Sequence, residues 1–269
     1  MEGYFDDTSM VRRIHRERAV ALSGPRALLM QAAHPLAVSG LLAHSSALEQ
    51  PYDRLARTAR TLNTIVFGSR ADADVVTRRL RRMHRRVNGR LSRRVGRYER
   101  GTPYRADDPQ LLLWVLFSLV DSGVVFYRAY VDSLSRADER AYWENFKVIG
   151  RLFGLRNRDL PDTLEDLDVY RRRMLDGDEL FVTDWARERA RQIVFSPPLS
   201  WRARPLLKVV NFVTIALLPD PIRRQYGFSP LPPVPVRKAL VGVGAEYLKR
   251  AVIPFLPDQV RLVPSARAA

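Results

Sequence analysis

The residues that most constrain the fold are Leu111–Val131, the most apolar stretch of the chain. Its first ten residues are broken only by Ser118, and Asp121 and Ser122 then interrupt the run. A membrane-spanning helix needs about 20 apolar residues without such interruptions. We therefore expect a buried helix at the centre of a bundle. Asp121 is costly to bury unless it is paired, and one of the arginines at 12–18, 54–57 or 78–86 is the expected partner.

Apolar residues recur at helical spacing along most of the remaining chain, and few segments alternate as strands do. Proline and glycine separate the segments. Helices are predicted from Thr8 or Ser9 to Gly24 and over 27–34, 35–44, 51–68, 71–88, 111–131, 138–153, 163–175, 183–195 and 236–252. Residues 90–109 are predicted as a loop, and a proline-rich, partly helical extension begins near 197. The predicted fold class is all-α, with one multi-helix domain over residues 1–269.

The amino-acid composition limits the cofactors and reactive groups that the protein can use. The apolar fraction of 46% is enough for a sizeable core. The chain has no cysteine, which excludes disulfides, thiolate nucleophiles, iron–sulfur clusters and cysteine zinc sites. A haem held by histidine remains compatible with this composition.

The net charge of +16 would attract nucleic acid, anionic lipid or acidic cofactor groups. Only four of the 45 basic residues are lysine, and such an arginine excess beside alanine, valine and leucine indicates coding bias. No zinc-finger, RNP or helix-turn-helix signal is present, so we expect no nucleic-acid partner. The acidic start, Met1–Asp7, is not a signal peptide, which favours a cytoplasmic protein. Pro205–Pro219 is read as a core helix or a helix on a membrane surface.

Four histidines are the only imidazoles available for metal or haem chemistry. His84 lies at the edge of an apolar helical stripe that includes Leu80 and Val87, and arginines surround it. Such a histidine is most often a hydrogen-bonded interior residue. His34, before Pro35, is expected to cap or pack across a helix break.

Two further hypotheses concern the histidines. His15 lies among arginines, where we expect a depressed pKa and a solvated position. A metal site built from His34, His44 and His84 is conceivable, although carboxylates at ligand spacing are missing. No glycine-rich phosphate loop, G-x-S-x-G turn or H-E-x-x-H motif occurs.

Arg54, Arg57 and Thr58 share one face of a predicted helix, since they are spaced i, i+3 and i+4. Such a face is more often solvated than functional. Arginine cannot ligate a metal or act as a base, because it stays protonated. It can bind a carboxylate through two hydrogen bonds.

The chain resembles the MpaB-type oxygenase family, which includes the latex-clearing rubber oxygenases. The resemblance rests on sequence blocks that occur in the family's order. They are Gly24–Pro35 with His44-Ser45, Arg54–Thr58, Met83–Gly89, Pro103–Val115, and the ending from Leu218-Pro219 through Tyr226-Gly227 to Val263-Pro264. Together these blocks extend over nearly the whole length.

The resemblance implies an all-helical fold with a globin-like core that carries haem b. His84 matches the proximal iron ligand of the rubber oxygenases. Arg54 and Thr58 match pocket residues with catalytic roles, and Arg57 would join them in binding the cofactor. Dioxygen would be the co-substrate. An isoprenoid or other lipid-like substrate would lie between the helices at 27–43 and 111–127, and its C=C bond would be cleaved to two carbonyl ends.

Two positions depart from the family pattern. Arg57 stands where some rubber oxygenases have a lysine that can cap the iron, and arginine cannot do so. Leu116 follows Trp114-Val115 where many relatives have histidine. These departures keep an alternative open, in which the chain is a non-catalytic helical protein that binds haem or lipid at the periphery of a membrane.

Overall fold

The computed structural model describes residues 2–44, 51–195, 211–228 and 257–266, and these are mostly helical. The helices are α1 (Met10–His15), α2 (Arg18–Ala21), α3 (Gly24–Ala32), α4 (Pro35–His44), α5 (Pro51–Phe67), α6 (Arg70–Arg86), α7 (Pro109–Tyr130), α8 (Arg136–Phe153), α9 (Leu164–Asp176), α10 (Asp184–Phe195), α11 (Asp220–Gln225) and α12 (Asp258–Arg261). The all-α prediction is confirmed. The helix predicted over 236–252 and most of the proline-rich extension lie outside the described residues.

Helix α7 is the centre of the bundle, as its composition predicts. It packs against α1, α2, α3 and α8. Trp114 and Leu116 are fully buried, and the Trp114 indole donates a hydrogen bond to the Met30 carbonyl at 3.0 Å. Full burial of one large apolar side chain stabilises a fold by about 1.5–3 kcal/mol. The central helix therefore contributes a large share of the apolar stabilisation.

Among the described residues, α7 is also the one helix long and apolar enough to cross a membrane. However, 67% of its most apolar stretch of 18 residues is buried inside the protein. A helix surrounded by other helices has little surface left for lipid. This packing favours the role of a core helix.

Asp121 interrupts the apolar face of α7, and its partner is Arg26 of α3. The Arg26 Nη2 atom lies 2.6 Å from the Asp121 Oδ2 atom, and the two side chains are 3% and 14% exposed. Arg26 also donates to the Ser122 hydroxyl at 2.7 Å and to the Leu217 carbonyl at 2.8 Å. Asp121 is paired as expected, but the partner is Arg26 rather than one of the arginines expected from the sequence, and the pair joins α3 to α7.

The long first helix predicted from the sequence is wrong, because α1 and α2 are separate. The chain leaves helical geometry at Glu17, which forms an antiparallel bridge with Leu262. The Glu17 carboxylate is 2% exposed and accepts two hydrogen bonds from Arg261, each of 2.8 Å. The break therefore serves a contact between the first helices and residues near the C-terminus.

The loop predicted over 90–109 is also partly wrong. Strands β1 (Asn88–Arg90) and β2 (Pro103–Arg105) form a short antiparallel pair in which Gly89 faces Tyr104. A Cβ atom at Gly89 would lie too close to the Tyr104 hydroxyl, so a larger residue there would require the Tyr104 ring to shift. The Val87 carbonyl accepts from the Ala106 amide at 2.9 Å. The hairpin thus holds the end of α6 in place.

Two of the histidines are structural. His34 is 5% exposed and packs on Tyr98 in the break between α3 and α4, as expected for that position. The solvated position predicted for His15 is wrong. Its Nε2 atom lies 2.8 Å from the Tyr142 hydroxyl, and its ring packs against Phe146. Burial lowers the pKa of each histidine from 6.5 to about 4.

These buried histidines predict a loss of stability in mild acid. The unfolded chain takes up a proton at each histidine below about pH 6.5, whereas the folded protein resists protonation until about pH 4. The stabilisation is therefore complete above pH 6.5 and is lost as the pH falls toward 4. For His34 the loss is about 3 kcal/mol, at roughly 1.4 kcal/mol for each unit of pKa shift.

Urea unfolding followed by circular dichroism between about pH 7 and pH 4.5 measures this loss. The variants His34→Gln and His15→Gln should each lose less stability over this range than the parent protein. An unchanged dependence on pH in both variants would contradict the assignment to these histidines.

Candidate functional site

A cavity of about 1070 Å³ lies beside the central helix and opens between α5 and α6. Apolar residues of α3, α4 and α7 line it, as predicted, and apolar residues of α5, α6 and α8 line it as well. The wall residues include Leu28, Ala32, Leu36, Val38, Leu112, Val115 and Leu119. Pockets for small molecules in proteins usually measure about 300–1,000 Å³. The cavity is therefore large enough for a bulky cofactor or for a long apolar ligand.

His84 contributes an imidazole to this cavity from α6. Ser69 caps the start of this helix, and its hydroxyl accepts a hydrogen bond from the Asp72 amide at 3.2 Å. At 100° for each residue, His84 points in the same direction as Ala73 and Thr77. Those two residues are 0% and 1% exposed. The half-buried His84 thus belongs to the inner face of α6, rather than to its solvated face.

Arg57 and Thr58 line the same cavity from α5. Both are exposed, so they lie near its opening. The predicted residues Arg57, Thr58 and His84, which come from two helices, are therefore together at one cavity. Arg54 is on α5 as well, but its side chain lies outside the described part of the structure.

Among the side chains that the structure describes, five arginines line the opening of the cavity, and we call them the arginine rim. They are Arg57 and Arg60 of α5, and Arg79, Arg82 and Arg86 of α6. The last four are not predicted as site residues from the sequence, because exposed arginines on an amphipathic helix are usually only solvated. Their helical phase relative to the apolar stripe was the available signal, but the position of the neighbouring helix decides which of them reach the cavity.

A carboxylate lies close to His84. Asp107 follows β2 and accepts hydrogen bonds from both the Nε and Nη2 atoms of Arg105, each of 3.0 Å. The Arg105 guanidinium holds the pKa of Asp107 below its usual value, and the charge of His84 adds a smaller lowering. Asp107 is therefore within electrostatic range of His84, and no local sequence pattern predicts this proximity.

Leu116 does not line the cavity. It is fully buried and reaches α8, where an added Cβ atom at Gly150 would lie 2.9 Å from its Cδ2 atom. The multi-histidine metal site is likewise not formed within the described part of the chain, where no three metal-binding side chains cluster. His34 is absent from the cavity wall, and the side chain of His44 lies outside the described residues. His84 is thus the cavity's imidazole among the residues described.

The fold and the cavity define an all-helical protein that can enclose a largely apolar molecule between an imidazole and a cationic opening. Residues 12–247 match the family model described as "ER-bound oxygenase mpaB/B'/Rubber oxygenase, catalytic domain". The chain belongs to this family, and it carries an oxygenase-type catalytic domain. No curated protein and no solved structure matched the chain. The segment 257–266, which contacts Glu17, lies beyond the matched region.

Proposed function

We propose that the protein is a haem b-dependent oxygenase that uses dioxygen on an isoprenoid or other lipid-like substrate. The observation that carries the proposal is the meeting of His84, Arg57 and Thr58 at one apolar cavity. The oxygenase character of the family supports the use of dioxygen. The reaction class is cleavage of a C=C bond, in which the two atoms of dioxygen end in two carbonyl groups.

The residues at the cavity fit a haem. One imidazole is sufficient to hold a haem iron, and His84 provides it. A guanidinium group can bind a propionate carboxylate through two hydrogen bonds, and Arg57 with its neighbours on the rim supplies such groups. Haem, when bound, would supply the iron that binds and activates dioxygen.

The chain's own side chains would prepare the site. The walls from α3, α4 and α7 exclude water and hold an apolar chain in place. Arg57 and Arg54 would each bind an anionic group, and Arg54 is the candidate for acting on bound dioxygen. The Thr58 hydroxyl can donate one hydrogen bond within the cavity.

The alternative is a helical protein that binds haem or lipid without catalysis. It was suggested by Leu116, which stands in place of a family histidine. The packing of Leu116 against α8 weakens that suggestion, because Leu116 is buried and is not one of the residues that line the cavity. An oxygen electrode distinguishes the two functions. Oxygen uptake by the haem-loaded protein with a panel of terpenoids and unsaturated lipids supports the oxygenase, and no uptake supports the binding protein.

The test of haem ligation is the substitution His84→Ala. The parent protein, purified from haem-replete cells, should show a Soret band, and His84→Ala should lose most of it. Added imidazole should restore the band by replacing the missing ligand, which a purely structural role of His84 would not allow. His34→Gln is the control, because His34 is buried outside the cavity and this variant should keep the band.

A parent protein without a Soret band, or a band unchanged by His84→Ala, would contradict the proposal. Circular dichroism of both variants establishes that they are folded.

We also propose that residues 1–269 form one domain, and that the protein is cytoplasmic with a peripheral membrane contact. The burial of α7 supports a peripheral contact over a membrane-spanning helix. The family's description names an ER-bound oxygenase, which supports an association with a membrane. Release of the protein from membranes by alkaline carbonate is the expected result, and retention in the membrane pellet would contradict it.

A further inference from the structure

The opening of the cavity has a charge pattern that the proposed function does not require. Viewed down α6, Arg79, Arg82 and Arg86 fall within an arc of about 60°, and Met83 borders it. Met83 is 52% exposed and lines the cavity as well. The same edge of α6 therefore carries exposed guanidinium groups and, beside them, the apolar side chain of Met83 at the entrance of the cavity.

The arginine rim is not neutralised by the part of the protein whose side chains are described. None of its five members forms an ion pair with a described carboxylate, and the Arg60 Nε atom donates only to the Ala56 carbonyl. Other arginines nearby are paired. Arg78 lies 3.9 Å from Asp74, and Arg105 lies 3.0 Å from Asp107.

Arginines that converge on one opening repel each other, and an anion placed among them relieves this repulsion. A carboxylate or a phosphate matches the planar fork of arginine. The two propionates of haem can bind part of the rim, but five guanidinium groups are more than two carboxylates can occupy. The remaining cationic groups border the apolar interior where a substrate chain would lie.

We propose that the substrate is an anionic amphiphile, an apolar chain that ends in a carboxylate or a phosphate. The chain lies against the walls from α3, α4 and α7, and the anionic head binds the arginine rim. This inference rests on the proposed function and deepens it, because a neutral hydrocarbon would make no use of the rim. The head also sets how far the chain enters, and hence which bond of the chain comes nearest to His84.

The test is calorimetric titration of the full-length, haem-loaded protein with three monomeric ligands of equal chain length. They are oleate, oleyl phosphate and oleyl alcohol, each used below the concentration at which it aggregates. Oleate or oleyl phosphate should bind at least about tenfold more tightly than the alcohol, since two charge-assisted contacts are worth more than that factor. The ranking of the two anions identifies the head group.

A pair of matched double variants locates the effect. Arg79→Gln/Arg82→Gln removes two charges from the rim, and the preference for anions should fall below about threefold. Arg78→Gln/Arg85→Gln removes two exposed charges from the same helix but away from the cavity. This control should keep the preference.

Three outcomes would overturn the proposal. The first is equal affinity for the acid, the phosphate and the alcohol. The second is an equal loss of the preference for anions in the two double variants, which would indicate an effect of general surface charge. The third is loss of the Soret band in Arg79→Gln/Arg82→Gln with the preference unchanged, which would assign the rim to the cofactor. If the parent protein lacked a Soret band, the haem assignment would fail. The preference for anions would still be measurable in the cofactor-free protein, so the two failures are distinguishable.

Discussion

The substitution Arg26→Met is expected to lower the free energy of unfolding by about 3–5 kcal/mol, the cost of leaving one member of a buried ion pair without its partner. Asp121 would keep its charge inside the bundle, where only 14% of its side chain reaches solvent. The Ser122 hydroxyl and the Leu217 carbonyl would also lose the donor that now serves them. Methionine is comparable in length and apolar, so a cavity is not the main effect.

Urea unfolding followed by circular dichroism measures the loss. The control is Arg140→Met, because Arg140 pairs with Glu165 at 3.0 Å on the surface, where both side chains are more than half exposed. That substitution should cost less than about 1 kcal/mol. The double variant Arg26→Met/Asp121→Leu should recover much of the stability, since no buried charge is left. An Arg26→Met variant as stable as Arg140→Met would show that water reaches the pair.

The helices are the part of the fold that local sequence predicts well. Helix α7 follows from its apolar length and α6 from its apolar spacing, because both signals lie within the helix itself. The partner of Asp121 could not be predicted, because Arg26 is distant in the chain and competes with many other arginines. The end of α1 could not be predicted either, because Glu17 leaves helical geometry to pair with Leu262, which is also distant in the chain.

The candidate site is predictable only in part. Local periodicity places His84 at the edge of a stripe, which is the usual place of an ordinary interior histidine. The resemblance to a family selects His84, Arg57 and Thr58, and the packing of α5 beside α6 brings these three to one cavity. The rest of the arginine rim depends on which exposed side chains border the opening. No pattern within a single helix contains that information.

Replacing Arg261 with methionine is expected to lower the free energy of unfolding by about 3 kcal/mol. The substitution leaves the Glu17 carboxylate, which is 2% exposed, without the two hydrogen bonds that it accepts from Arg261. The Arg16 Nε atom lies 3.6 Å from Glu17 and retains part of the attraction, so the loss should fall near the lower end for a buried pair. Urea unfolding of the variant measures it.

A double-mutant cycle with Glu17→Gln separates the pair from the rest of the contact. Glu17→Gln/Arg261→Met should be more stable than Arg261→Met alone, because a neutral amide replaces the buried charge. The Arg18 guanidinium donates to the Leu262 carbonyl at 2.9 Å and the Val263 amide donates to the Arg16 carbonyl at 2.8 Å, so these bonds hold the segment without the pair. If they sufficed, proteolysis within 257–266 would be no faster in Arg261→Met than in the parent protein. Faster cleavage there, under conditions in which α7 stays protected, would instead show that the Glu17–Arg261 pair holds the segment 257–266 on the first two helices.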